Sequence, residues 1–393
     1  MQSNLNTTNI CFFNSCKTWG GGEKWHHDIA VRLKNLGYNV FVCTNVVSEL
    51  NHKLSDKNIH LFRLRVKNLS FLNPFLIYKA FCIFKKNNID TVILGLPSDV
   101  KAAGIAAKLA GVRKIIYRRG TALPVSNSLV NRFLYKYVIT DVIANSVEIK
   151  NKFLERNPDL CPPSRIHIVY NGVEVNRSSS PQLFSEQKSR LILGNAGRLV
   201  NQKGQRYLIE LAAILKQNQL DFSLLIAGKG ELEESLKKYA RQLNVESYIS
   251  FLGFVEDMDV FFHSIDLFLL PSLHEGSANI VLEAMSFGKP VIAFDISSMS
   301  ELVVNDKSGY LVKFGDVGAF TDRVMYLNSH PSVCEQMGKD AIAIIKNRFT
   351  VERCLQQLLD IIQPQQIVDI PVSISENDPE HTIEKVPEPY TAL

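Results

Sequence analysis

The stretch Asp266–Asp295, DLFLLPSLHEGSANIVLEAMSFGKPVIAFD, contains a complete structural unit. DLFLLP is a short apolar run closed by proline, the length of a buried strand. LHEGSA is the loop at the C-terminal edge of that strand. NIVLEAMSFG carries Ile280, Leu282 and Met285 at helical spacing, and PVIAFD is again a strand. Strand, loop, helix and strand make a βαβ unit, and such units build parallel sheets covered on both faces. The stretch also holds two carboxylates, Glu275 and Glu283, with no charge between them. They suit a catalytic pair, a sugar-binding clamp, or two solvated helix glutamates. A carboxylate accepts two hydroxyl hydrogen bonds at once, which fits a ribose or a hexose.

Outward from this unit the alternation continues in both directions. LILGNAGR opens a series at Leu191, followed by the helix QRYLIELAAILKQN, the strand FSLLIAG, the helix ELEESLKKYARQLN, the strand SYISFLG and the helix MDVFFHSI. A separate series precedes it: NICFFNS, a glycine loop, the helix WHHDIAVRLKNLG, YNVFVCT, IDTVILG, the helix DVKAAGIAAKLAG, KIIYRR and DVIANS. Between the two lies RSSSPQLFSEQKSR, polar and without periodicity, a linker or edge loop. The expected fold class is α/β, two Rossmann-like doubly wound domains facing across a cleft. The first domain is expected to span 1–173. The second spans 174–363, with its last helix packing back on the first. A disordered acidic tail occupies 364–393.

A chain of 393 residues, 46% of them hydrophobic, can bury two cores of ordinary size. Charge is uneven along it. Residues 1–173 hold 24 Lys+Arg against 10 Asp+Glu, whereas 174–363 hold 19 against 23 and the last thirty hold 1 against 6. The basic first half faces either an anionic partner or membrane surface, or simply solvent. The stretch FRLRVKNLSFLNPFLIYKAFCIFKKNN mixes apolar and basic residues as a surface leaning on anionic lipid does, or as two ordinary core helices do. Seven cysteines without a CxxC pair argue for a reducing compartment and against a disulfide frame or zinc site. The N-terminus lacks a basic leader region, and Phe71–Phe84 is too short and interrupted to span a bilayer. A cytoplasmic protein is expected, with peripheral contact at the inner face of the membrane as a further expectation.

Two glycine turns complete the set of motifs. Gly20, Gly21 and Gly22 lie between the first strand and first helix, where bare backbone and a helix N-terminus can approach an anion. A glycine turn of this kind can equally be a tight turn alone, since GxGxxG is absent. Gly194–Arg198 ends the first strand of the second domain, followed by Lys203. Arg198 and Lys203 either converge on a diphosphate or are surface cations beside a turn. Ser277 or Asn279 is expected to cap the helix after Glu275, turning its first amides to the same crevice.

Together GRLVNQKG, LLIAGKGELEESLKKYA, ISFLGFVEDMDVFF, PSLHEGSANIVLEAMSFGKPVIA and ELVVNDKSGYLV resemble the family-4, or group 1, retaining glycosyltransferases of the GT-B fold. The resemblance covers about residues 9–363 and is densest over 191–315. It implies a transferase that moves a sugar from a UDP- or GDP-sugar to a saccharide or lipid-linked, anionic acceptor, with retention and without a metal or other cofactor. Lipopolysaccharide or other surface polysaccharide biosynthesis is the implied setting, and nucleic acid is not an implied partner. The family's paired glutamates fall on Glu275, beside the donor sugar, and Glu283, on the ribose. Its diphosphate cations fall on Arg198 and Lys203, and its glycine loop on Gly20, Gly21 and Gly22. Gly276, Ser277, Ala278 and Asn279 would supply amides to sugar and phosphates, and Glu256 and Asp257 would lie by the base. Where many members carry His-Gly, this chain has Arg119-Gly120. Arg119, with Arg118, then grips an anionic acceptor or the donor phosphates, or is a strand-end arginine in solvent. The alternative is a catalytically weak sugar-nucleotide-binding or scaffold protein on the same fold. His26 and His27, beside the glycine loop, are candidates for acceptor contact.

Overall fold

The computed structural model describes residues 8–67, 69–175 and 190–363. The expected linker, up to Ser189, and the expected acidic tail at 364–393 lie outside the described residues. Among the described residues the strands form two sheets, every pairing parallel. The first contains β1 (Asn9–Asn14), β2 (Asn39–Thr44), β3 (His60–Arg63), β4 (Thr91–Leu94), β5 (Lys114–Arg119), β6 (Asp141–Ala144) and β7 (Ile166–Ile168), in the order β3-β2-β1-β4-β5-β6-β7. The second contains β8 (Leu191–Ala196), β9 (Phe222–Ala227), β10 (Ile249–Gly253), β11 (Leu267–Leu270), β12 (Val291–Phe294) and β13 (Gly309–Val312), in the order β10-β9-β8-β11-β12-β13. This is the doubly wound topology expected from the alternation. The apolar runs TVIL, LFLL and VIAF are buried throughout because helices cover both faces.

In the first domain the crossovers are α1 (Gly21–Asn35), α2 (Glu49–Leu54), α3 (Pro74–Lys86), α4 (Pro97–Ala110), α5 (Leu129–Phe133) and α6 (Val147–Leu154). In the second they are α7 (Gln205–Gln217), α8 (Glu233–Gln242), α9 (Met258–Ser264), α10 (Asn279–Ser286), α11 (Met299–Leu302) and α12 (Val317–Ser329), followed by α13 (Pro331–Arg348) and α14 (Val351–Ile362). The apolar residues of α14 recur at three and four, and its buried stripe of Cys354, Leu355, Leu358 and Leu359 shares one core with Trp25, Ile29 and Phe12. The chain therefore crosses between domains twice, and the crossings touch. Val173 pairs with Thr350, and a Cβ on Gly172 would lie 2.5 Å from the Thr350 carbonyl oxygen, so only glycine fits.

One helix expected near residue 62 is instead β3, an edge strand paired with β2, and only Pro74–Lys86 is α-helical in that stretch. The reason is local. Asn73 accepts from the amides of Phe75 and Leu76 and Pro74 occupies the first turn, so helix starts there and not earlier.

In each sheet the connections reverse direction at the middle, between β1 and β4 and between β8 and β11. Such switch points leave a crevice beyond the strand ends, and both crevices open toward the other domain.

Candidate active site

The second-domain half is built from the turns after β8 and β11. Beyond β8 a short turn at Asn201–Lys203 ends on Gly204, at φ +66°. A Cβ there would lie 2.0 Å from the Pro271 carbonyl, so glycine is required by conformation and by space. This close approach brings Lys203 to the β11 loop. Its Nζ lies 2.6 Å from Glu275 Oε1, which also accepts from Ser272 Oγ at 2.6 Å. Glu275 is buried and its charge is matched by a partly buried lysine. Arg198 is exposed on the same turn, and among the described residues its guanidinium has no partner.

The start of α10 corrects one expectation. Its N-cap is Ala278, and no side chain caps it. Ser277 and Asn279 are engaged elsewhere: Asn171 Nδ2, from the segment after β7, donates to Ser277 Oγ at 2.8 Å and to Asn279 Oδ1 at 2.6 Å. The cleft is closed around this loop. A Cβ on Gly276 would meet the Gly120 carbonyl oxygen at 2.3 Å, and one on Gly21 would meet Asn279 Nδ2 at 3.2 Å. Farther along α10, Glu283 Oε1 receives Lys24 Nζ at 2.5 Å from the opposite domain.

On the first-domain side α1 begins at Gly21 with Gly20 as N-cap, again without a side-chain cap. Glu23 in that first turn accepts from Asn14 Nδ2 at 3.2 Å. The uncapped starts of α1 and α10 thus meet across the cleft, each presenting the positive end of a helix dipole.

At the end of β5 the sequence expectation for Arg119 meets the alternation of a strand. Arg119 shares a face with Ile115 and Tyr117, so it enters the layer of α4 and α6 and is 4% exposed. Its guanidinium donates to Tyr117 Oη at 3.3 Å and to the Leu123 carbonyl, and lies 5.6 Å from the Phe153 ring centroid. It does not join the cleft cluster. Arg118 takes the opposite face, 4.4 Å over the Trp25 ring, and donates to Asn171 Oδ1 at 2.8 Å. Burial pushes its guanidinium down to about 10, and no carboxylate pairs with it among the described residues.

His26 packs beneath α1, where its Nδ1 donates to the Gly22 carbonyl at 2.9 Å. Burial first, then the Arg118 charge, hold its imidazole down at about 3. It is neutral, and among the described residues its Nε2 has no partner. At the start of α4 the buried Asp99 accepts from Ser15 Oγ at 2.5 Å and from the amides of Ser15 and Leu96; burial nonetheless pushes its carboxyl up to about 7. His27 faces Asp28 at 2.7 Å and stands outside this group.

The structure brings Gly21, Gly22, Lys203, Glu275, Gly276, Ser277, Ala278, Asn279 and Glu283 to the facing crevices, with Arg198 on the rim. Glu256 is exposed beyond β10, and Asp257 caps α9 by accepting from the amides of Asp259 and Val260. Sequence reasoning misses Lys24, although it follows the glycine loop by two positions, and Asn171, which carries no spacing signal at all. Among the described residues no group of three or more His, Cys, Asp or Glu could hold a metal ion, and no helix is long and apolar enough to cross a membrane.

Two doubly wound domains whose switch points face each other across a cleft define the GT-B class. The chain belongs to the group 1, family 4 glycosyltransferases. A family model described as glycosyl transferases group 1 matches residues 177–343, and one described as glycosyltransferase family 4 matches residues 19–177. An uncharacterised glycosyltransferase of Haemophilus influenzae is 29% identical over 87% of this chain and 96% of its own length. The UDP-Gal:alpha-D-GlcNAc-diphosphoundecaprenol alpha-1,3-galactosyltransferase of Escherichia coli is 26% identical over 78% of this chain and 81% of its own. The crystal structure of Anabaena HepE in complex with UDP superposes with a TM-score of 0.80 at 21% identity, covering 91% of this chain and 100% of that one.

Proposed function

We propose that this chain is a retaining, metal-independent hexosyltransferase that moves a sugar from a nucleotide-sugar donor to a lipid-linked or otherwise anionic saccharide in surface polysaccharide biosynthesis. The observation that carries this reading is the head-on meeting of the α1 and α10 starts, with Arg198 unpartnered and Lys203 beside them. Two positive helix ends repel in an empty cleft, and a diphosphate between them removes the repulsion. The same groups stabilise the nucleoside diphosphate that leaves when the sugar–phosphate bond breaks, the charge-stabilising work a divalent ion does elsewhere. Glu283 takes the ribose hydroxyls, Glu275 lies beside the donor sugar, and Glu256 and Asp257 lie on the base side.

Retention follows a front-side route. The leaving phosphate oxygen takes the acceptor proton while the acceptor oxygen bonds the anomeric carbon on the face the phosphate leaves. Glu275, tied to Lys203 and Ser272, positions the sugar and is not free to attack. UDP is favoured as the nucleotide because one relative's name and one neighbour's complex carry it.

The acceptor side has support of its own. Leu72, Phe75 and Tyr78 are exposed around the start of α3, Phe75 at 82%, amid Arg65, Lys67 and Lys79. Leu129, Phe133 and Tyr137 are exposed beside Arg132 and Lys136, and α3 and the turn Leu134–Val138 that follows α5 both pack against α4. An apolar patch ringed by lysine and arginine fits the headgroup region of an anionic leaflet.

Incubation with UDP- and GDP-sugars in excess chelator, with and without undecaprenyl-diphosphate-linked acceptors, tests the reading. Release of the nucleoside diphosphate and an anomerically retained product by NMR are expected. Tight donor binding without hydrolysis or transfer would sink the enzyme in favour of a binding protein, and inversion would sink the front-side route.

A further inference from the structure

Glu283 and Lys24 are 259 positions apart in the chain and meet only because the domains close. The lysine stands on the first turn of α1, directly after the glycine loop, and about half of its side chain is exposed. It occupies one oxygen of a carboxylate that is 20% exposed, and no other partner of that carboxylate occurs among the described residues. A ribose diol that binds Glu283 through both hydroxyls needs both oxygens, so the ammonium has to leave. Lysine is suited to this, being a compact charge on a flexible stem. Burial pulls its pKa down, but Glu283 outweighs that effect and raises it overall, so in this pair it is an ammonium. Once released it stands at the α1 start, against which Asn279 packs, where a donor diphosphate would be a stronger anion than Asp28, one turn along the helix. Arg118 is not available for that place, since its guanidinium is held by Asn171 and the Trp25 ring.

We propose that Lys24 is a donor-site residue contributed by the first domain: it neutralises Glu283 in the empty cleft and moves onto the donor diphosphate when the ribose takes Glu283. The exchange leaves Lys24 beside an anion before and after binding, gives Glu283 hydroxyl donors in place of the ammonium, and ties nucleotide recognition on one domain to contact with the other. The inference rests on the reading of Glu283 as the ribose ligand.

Calorimetric titration of UDP and of GDP into the wild type, Lys24→Gln, Lys24→Arg and Glu283→Gln, at about 50 and about 500 mM salt, tests it. Lys24→Gln is expected to weaken the preferred diphosphate about tenfold and to flatten its salt dependence, with Lys24→Arg recovering most of the loss. Equal or tighter binding by Lys24→Gln overturns the proposal, because a lysine that only competes for Glu283 would release affinity when removed. Unchanged binding by Glu283→Gln instead overturns the ribose reading and, with it, the exchange. A wild type that binds neither diphosphate removes the donor site itself. Circular dichroism melts of each variant separate these outcomes from misfolding.

Discussion

On β5 two arginines stand side by side, and the two-residue period of the strand sends them into different layers. Arg119 fills the place where many relatives by resemblance carry histidine, yet its guanidinium satisfies Tyr117 Oη and the Leu123 carbonyl inside the first domain. Arg119→Ala would leave those oxygens without a donor and open a cavity. We expect it to cost about 2–4 kcal/mol of stability in a denaturant melt while diphosphate affinity stays within about twofold. Loss of affinity without loss of stability would return Arg119 to the cleft. His26 offers a second test, through pH. Its folded pKa of about 3 lies below the ordinary 6.5, so between those values the unfolded chain takes up a proton that the fold refuses. The stability held by the neutral imidazole is therefore complete above 6.5 and declines as pH falls toward 3. Asp99 acts oppositely: its folded pKa of about 7 exceeds 3.8, so its contribution is full below 3.8 and is lost as pH rises toward 7. His26→Asn keeps a donor near the Gly22 carbonyl and cannot titrate. Relative to wild type it should recover on the order of 2–3 kcal/mol between pH 6.5 and about 4.5, read as the difference of two melting series. Parallel pH curves for the two proteins would show that His26 does not titrate as its burial requires.

The loop after β11 and the helix α10 form the element in which sequence and structure agree most closely. The βαβ pattern, the two glutamates and the cation turn at Arg198 and Lys203 are local, so spacing along the chain reports their place in space. What spacing cannot report is the opposite wall. Asn171 lies more than a hundred positions from the side chains it binds, and its pairing with Ser277 and Asn279 removes the side-chain cap that residue type alone predicts. The edge strand β3 is equally illegible: four residues with exposed polar side chains at both ends carry too short an alternation, and only pairing with β2 makes them a strand. Gly276 shows what the element needs from the other domain. Its own backbone accepts any residue, since it is absent from the positive-φ positions, but a Cβ would strike the Gly120 carbonyl at 2.3 Å when the cleft closes. Gly276→Ala should thus leave diphosphate affinity within about threefold and lower kcat about ten- to a hundredfold, because the acceptor wall is held off by an ångström or so. An unchanged kcat would mean that turnover does not require this contact.

At the scale of the whole molecule, closure rests on a fastener distant from the chemistry. Glu301, on α11 of the second domain, accepts from the amides of Val147 and Glu148 at 2.7 and 2.9 Å and from Tyr170 Oη at 2.8 Å. Ser146 satisfies the next amide of α6, that of Ile149, from within the first domain. The start of α6 is therefore fully capped only when the second domain is in place, and opening the cleft exposes two amides and a carboxylate to water. Burial, then the hydrogen bond to Glu301, raise the Tyr170 hydroxyl well above its ordinary range, so it donates throughout the accessible pH scale. The contact stands near the paired crossings at Val173 and Thr350, where a small rotation moves the whole second domain. A trans cap of this kind contributes about 1–2 kcal/mol, and it acts on the closed state alone. Glu301→Ala should then lower the closed-to-open ratio about five- to thirtyfold, seen as a larger radius of gyration by small-angle scattering without diphosphate. Saturating diphosphate should restore the wild-type value, since ligand held by both walls supplies the missing closure energy. kcat/KM for transfer should fall by a similar factor while stability of the isolated cores changes little. A variant that melts earlier yet scatters like the wild type would place Glu301 in the folding of α6 and remove it from domain closure.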